Sequence, residues 1–256
     1  MKDVSTGAGK FRVVHSAFWQ LATVLALSTA LTTCTPPDAT DADQFISYTV
    51  NPRRQTLRLY WQDEHGQPLR SLGHLRDWLS GRGQRLVFAC NGGMYHTGPV
   101  PLGLFIENGQ QRTPLDTTHG TGNFYLQPNG VFYLTRAREA GIVPTARFSA
   151  AEAVQYATQS GPMLVLDGQL HPAFRASSVN RQIRNGVGLL PDGRLLLVMS
   201  KKEINFYDFA CYFQRRGCRQ ALYLDGFVSR AYLPTQGWEQ LDGDFGVMLG
   251  VTEAAE

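Results

Sequence analysis

The stretch Leu222-Tyr223-Leu224-Asp225-Gly226-Phe227-Val228-Ser229 decides how this chain is read. Apolar and aromatic residues run straight into Asp-Gly, which is how a buried strand ends in a tight turn. A carboxylate at such an end, beside a glycine that lets a ligand or another chain approach, is a common place for chemistry. A plain hairpin turn is the competing reading of an isolated Asp-Gly. Two further glycine-bearing turns share the pattern. Asn91-Gly92-Gly93-Met94-Tyr95 follows the apolar run Leu86 to Cys90, and Arg181-Gln182-Ile183-Arg184-Asn185-Gly186 precedes Val187 to Leu190.

Outward from these turns the chain reads as short strands. Phe45 to Val50 and Thr56 to Trp61 form an expected strand pair around Asn51-Pro52. Arg85 to Cys90, 102–107, 123–127 and 131–135 are further strands, with Gln127-Pro128-Asn129-Gly130 turning between the last two. Met163 to Leu166 with Gln169-Leu170, and Val187 to Leu190 with Arg194 to Met199, read as hairpins. Ala221 to Leu224 and Phe245 to Val251 close the set. Helices are expected at Ser71 to Leu79, with Ser71 as cap, and from the capping box Ser149-Ala150-Ala151-Glu152 to about Thr158. A third spans Asn205 to Arg216, where Phe206, Phe209, Ala210 and Phe213 keep the i, i+3, i+4, i+7 spacing. The 26 glycines in 256 residues exceed the usual share of about 7% and suit many tight turns. The fold class expected is α+β: mixed, largely antiparallel sheets built from hairpins, with a few flanking helices.

Residues 1–34 stand apart. Lys2, Lys10 and Arg12 precede the apolar run Ala17 to Leu31, which ends in small residues. That is the order of a secretory signal, and the run is short for a membrane span. Leu31-Thr32-Thr33-Cys34 is similar to a bacterial lipoprotein box, in which Cys34 would carry lipid; Thr33 departs from the small residue usual there. Residues 35–44, with two prolines and three aspartates, read as a linker, and 45–252 as the globular domain. The expected location is the periplasm or cell envelope, with membrane contact only through the signal or a lipid on Cys34. The net charge of +3 loses three basic residues and Asp3 with residues 1–33, leaving +1, so nothing calls for nucleic acid. Cys211 and Cys218 bracket a helix end with Gly217 in the stop position, and a disulfide between them fits an oxidising compartment. No close Cys or His pair completes a metal set.

Taken together, Asn91-Gly92-Gly93-Met94-Tyr95, Ser160-Gly161-Pro162, Ile183-Arg184-Asn185-Gly186-Val187-Gly188 and Leu224-Asp225-Gly226-Phe227-Val228-Ser229 resemble, in order, the motifs of the phosphodiester glycosidase family. Phe227 and Val228 stand where that family has two glycines. The resemblance spans roughly residues 45–252. It implies hydrolysis of a sugar-1-phosphodiester, of the α-N-acetylglucosamine kind, at the anomeric carbon, without a cofactor.

Such a reaction expels a phosphate monoester, a weak base, so the site must chiefly neutralise phosphate and stabilise an oxocarbenium-like sugar. Arg184, and after it Arg181, suit the first task through the guanidinium fork. Asp225 suits the second as nucleophile, as base for a water, or as partner of sugar hydroxyls. Asn91, Gly92, Gly93, Ser160, Gly161, Asn185, Gly226 and Ser229 are the expected substrate-binding residues. His96, His119 and His171 are candidates for moving a proton, and Tyr95 and Phe227 for stacking on a sugar. Two rival readings stand beside this one. A metal-dependent phosphodiesterase needs clustered Asp and His, which the sequence does not display. A non-catalytic phosphoglycan-binding envelope protein is favoured by the glycines replaced at 227 and 228.

Overall fold

The computed structural model describes residues 41–149 and 153–255; the expected signal, Cys34 and most of the linker lie outside them. Sheets dominate, and every pairing between the described strands is antiparallel. A six-stranded sheet runs Phe45–Val50, Leu195–Ser200, Asn185–Leu189, Gln220–Asp225, Met163–Leu166, Gln169–Leu170 in spatial order. One five-stranded sheet is centred on Val154–Ser160, and another holds Gln84–Gly93 between Ala231–Leu233 and Val247–Ala254. No described helix is long and apolar enough to cross a membrane.

The Gln220–Asp225 strand is buried on both faces because both are apolar. Leu222 and Leu224 enter the main core shared by the sheets. Ala221 and Tyr223 point the other way, against the helix Phe206–Arg215, whose Phe209 and Phe213 are fully buried. Asn205 caps that helix by accepting the Asp208 N–H at 2.8 Å. Its other end closes on Gly217, at φ +85°, with Gly217 N–H donating to Gln214 O and Cys218 N–H to Phe213 O. This is the left-handed stop that glycine permits. The helix Leu72–Ser80 buries Leu72, Leu75 and Leu79 behind its Ser71 cap.

Five expectations need correction. From Val154 onward the capping-box segment is a strand, not a helix; residues 150–152 lie outside the described part. Pairing with Phe105–Glu107 on one side and Gly130–Thr135 on the other overrides the local helix signal. Phe45–Val50 and Thr56–Tyr60 do not pair with each other. Arg54 and Gln55 N–H both donate to Asn51 O, and the turn passes the chain from the six-stranded sheet to another sheet. Residues 123–125 form a short 3-10 turn, so Gln127 to Gly130 joins no hairpin; Gly130–Thr135 pairs instead with Ala140–Pro144. Asp41–Gln44, read as part of a linker, is a short helix whose Asp41 is buried beside Arg215 and Arg216. The Cys211–Cys218 disulfide is not formed: Cys218 is a free thiol. The turn at Gly217 aims its sulfur at Gly188 and Phe213, between helix and sheet.

Candidate active site

Asp225 ends its strand at the mouth of a cleft of about 480 Å³. It is 8% exposed. Its Oδ1 accepts the Gly226 N–H at 2.6 Å and its Oδ2 accepts Asn91 Nδ2 at 2.9 Å. Burial nevertheless dominates, and lifts the carboxyl to about 6. The hydrogen bonds from Gly226 N–H, Asn91 and Phe227 N–H hold it below where burial alone would put it.

The orientation of Asn91 is set by its neighbours. Its Oδ1 accepts from the Arg230 backbone N–H at 3.1 Å, a group that can only donate, and from Asn185 Nδ2 at 2.9 Å. Nδ2 must therefore face Asp225. Asn185 is fixed in turn, because its Nδ2 also donates to the Asn91 carbonyl at 2.7 Å. Asn185 lies directly across the ladder from Asp225, while Asn91 comes from another sheet. Two of the turns recognised in the sequence thus meet at the third, through one chain of amides ending on the carboxylate.

Other expected residues support this arrangement from behind. Ser229 Oγ donates to the Asp225 carbonyl at 3.1 Å, closing the loop, and Ser160 Oγ donates to the Leu224 carbonyl at 3.0 Å. Gly92 and Gly93 belong to the Gln84–Gly93 strand rather than to an open turn. A Cβ on Gly93 would meet Thr158 Oγ1 at 2.6 Å, and one on Gly161 the Phe124 carbonyl at 2.6 Å. Gly226 is buried, and a Cβ there would run into the Tyr223 hydroxyl.

Arg184 is fully buried, yet it does not line the cleft. Its Nε donates to Ile204 O at 2.8 Å, Nη2 to Asn180 O at 3.0 Å, and Nη1 to the Tyr223 hydroxyl at 3.2 Å. The guanidinium lies 3.6 Å from the centre of the Phe206 ring. Among the described residues it has no carboxylate partner, and desolvation lowers its pKa. Its Nη1 sits 3.6 Å from where a Cβ on Gly226 would be, so the cation stands directly behind the turn. Arg181 is exposed and donates to the Glu203 carbonyl.

The histidines separate. His96 lines the cleft. His119 is exposed outside it. His171 has both nitrogens engaged: Nδ1 accepts the Ala173 N–H, so Nε2 carries the proton it gives to Gln127 O, and burial holds the ring neutral. Tyr95 lines the cleft near enough to Asp225 for that charge, after desolvation, to raise its phenol pKa. Asn123, Phe124, Tyr125 and Leu102 complete much of the wall and were not singled out from the sequence. Leu102 lies in a loop and the other three form the 3-10 turn Asn123–Tyr125, segments with no motif, so no local signal marked them. Among the described residues, no three His, Cys, Asp or Glu side chains gather where they could hold a metal ion.

A family model described as phosphodiester glycosidase matches residues 84–246. The uncharacterized protein YigE of Escherichia coli (strain K12) is 40% identical over 188 residues, 73% of each chain. A Burkholderia pseudomallei K96243 protein shares the fold at TM-score 0.55 and 10% identity, over 81% of this chain and 73% of that one. The catalytic domain of zebrafish N-acetylglucosamine-1-phosphodiester alpha-N-acetylglucosaminidase, solved auto-inhibited by its pro-peptide, matches at TM-score 0.49 and 14% identity, covering 82% and 88%.

Proposed function

We propose, from the premise that this chain belongs to the phosphodiester glycosidase family, that it hydrolyses a sugar-1-phosphodiester at the anomeric carbon with Asp225 as the reacting carboxylate. One observation carries the reading: a buried carboxyl raised to about 6, oriented by Asn91 and open to a cleft. Such a group exchanges protons near neutral pH, and its charged form is held ready for attack or for activating water. Asn91 and the Gly226 and Phe227 N–H groups hold its two oxygens, leaving part of their lone-pair capacity to the substrate. Arg184, a positioning residue behind Gly226, supplies positive potential where the phosphate leaves without touching it. Tyr95 and His96 are among the cleft groups able to give a hydrogen bond to the departing phosphate. The basic, apolar, small order of residues 1–34 supports action outside the cytoplasm.

The test is release of free sugar from UDP-linked or chromogenic α-N-acetylglucosamine-1-phosphodiesters, with and without EDTA. Asp225→Asn should lower kcat by roughly 10²–10⁴ while the protein stays folded. Sugar 1-phosphate as the product, or loss of activity in EDTA, points to a metal phosphodiesterase instead. Binding of a phosphoglycan with no turnover at all points to a module that holds and does not cut.

A further inference from the structure

We infer that the cleft beside Asp225 takes an apolar aglycone, so that the substrate is an amphiphile: a sugar joined through its phosphodiester to a hydrocarbon chain. This rests on the reading above and names the group on the far side of the phosphate.

Phe227 is the observation that leads there. The residue is 88% exposed, while Gly226 and Ser229 on either side of its loop are buried. The loop is closed at its base by the Ser229 hydroxyl on the Asp225 carbonyl, and at its start by the Gly226 N–H on the Asp225 carboxylate. A phenyl ring is thereby held out from a fixed backbone. It contributes almost nothing to the core, so its exposure serves no folding purpose.

The surroundings match it. Met94, Tyr95, Leu102, Phe124 and Val228 line the same cleft. The ionisable side chains there besides Asp225 are those of His96 and two tyrosines, and no lysine or arginine lines it. Beyond the one phosphate that Arg184 faces from behind Gly226, a further phosphate or uronate of a polyanionic glycan would meet no cation along this wall. A hydrocarbon meets no such penalty and buries the apolar wall. The rows of hydroxyl and amide partners that a second sugar needs are few here, with Asn123 and two threonines the chief ones. The sugar that reacts is placed against Asp225; the apolar wall is left for what the phosphate carries.

The experiment uses the full chain and the methyl, butyl and octyl esters of α-N-acetylglucosamine 1-phosphate. KM should fall along the series, by about two- to fourfold per methylene until the wall is covered, with kcat nearly constant. Phe227→Ser, harmless to folding at so exposed a position, should flatten the series at least fivefold at octyl; Phe227→Leu should restore most of it. Equal KM for methyl and octyl esters in the parent protein would overturn the inference, as would an octyl advantage untouched by Phe227→Ser. If no ester is hydrolysed, the same series is followed by calorimetry. Binding that strengthens with chain length and weakens in Phe227→Ser then upholds the apolar site while the hydrolytic reading fails. Binding indifferent to chain length removes the inference.

Discussion

Replacing Asp225 with asparagine should change how stability depends on pH, and the size follows from the burial of one carboxyl. In the folded protein the group titrates at about 6, against an ordinary value of 3.8. A raised folded value means the folded state holds its proton more tightly than the unfolded chain. The stabilisation is therefore complete below about pH 3.8 and is lost as pH rises through 6. A shift of roughly two units corresponds to about 3 kcal/mol, of which about 2–3 kcal/mol is spanned between pH 4 and pH 7.5. For a domain of this size each kcal/mol moves the melting temperature by about 2–4 °C. The asparagine variant lacks this titration, and its amide cannot satisfy both the Gly226 N–H and Asn91 Nδ2, so it carries a constant offset. Differential scanning calorimetry of both proteins across that range isolates the term, because all other titrating groups cancel in the difference. The parent's advantage over the variant should shrink by about 5–10 °C from pH 4 to pH 7.5. A difference that stays level, or grows with pH, would refute the claim that desolvation governs this carboxyl.

His171 should act with the opposite sign. Burial lowers its pKa from 6.5, so its stabilisation is present above that value and lost as pH falls; His171→Gln should flatten the acid limb of the melting curve between pH 7 and 5. Gly226→Ala should cost about 1–3 kcal/mol and most of the activity, read by melting and turnover, since its methyl meets the Tyr223 hydroxyl. Arg184→Ala should cost about 2–4 kcal/mol through lost packing on Phe206 and lost hydrogen bonds. A variant as stable as the parent would contradict its placement. Cys90 and Cys218, free and pushed up to about 12 by burial, should not react with a thiol reagent in the native protein and should react fully on unfolding.

Much of this protein is written in local sequence. The strand ending at Asp225, the two helices with capping residues at Ser71 and Asn205, the stop at Gly217 and the hairpins from Met163 and Asn185 all follow from patterns within about ten residues. Apolar periodicity and side-chain capping act over that distance, and nothing distant opposes them. Tertiary pairing decided the rest. The segment after Ser149 has the letters of a helix start, yet from Val154 it fills the gap between two strands whose backbone groups needed partners. Asn51-Pro52 carries a turn signal, but only the competition between sheets settles that the strands around it part company. The site divides in the same way. Asp225, Asn91 and Asn185 are visible as turn residues, whereas the relay through Arg230 N–H and the burial that lifts the carboxyl exist only once separate sheets meet. Arg184 shows the limit most plainly. Its charge suggests a phosphate clamp, but the packing of Phe206 and the Gly226 turn place it behind the cleft wall. A residue's chemistry is local, while its exposure is set by every chain that packs around it.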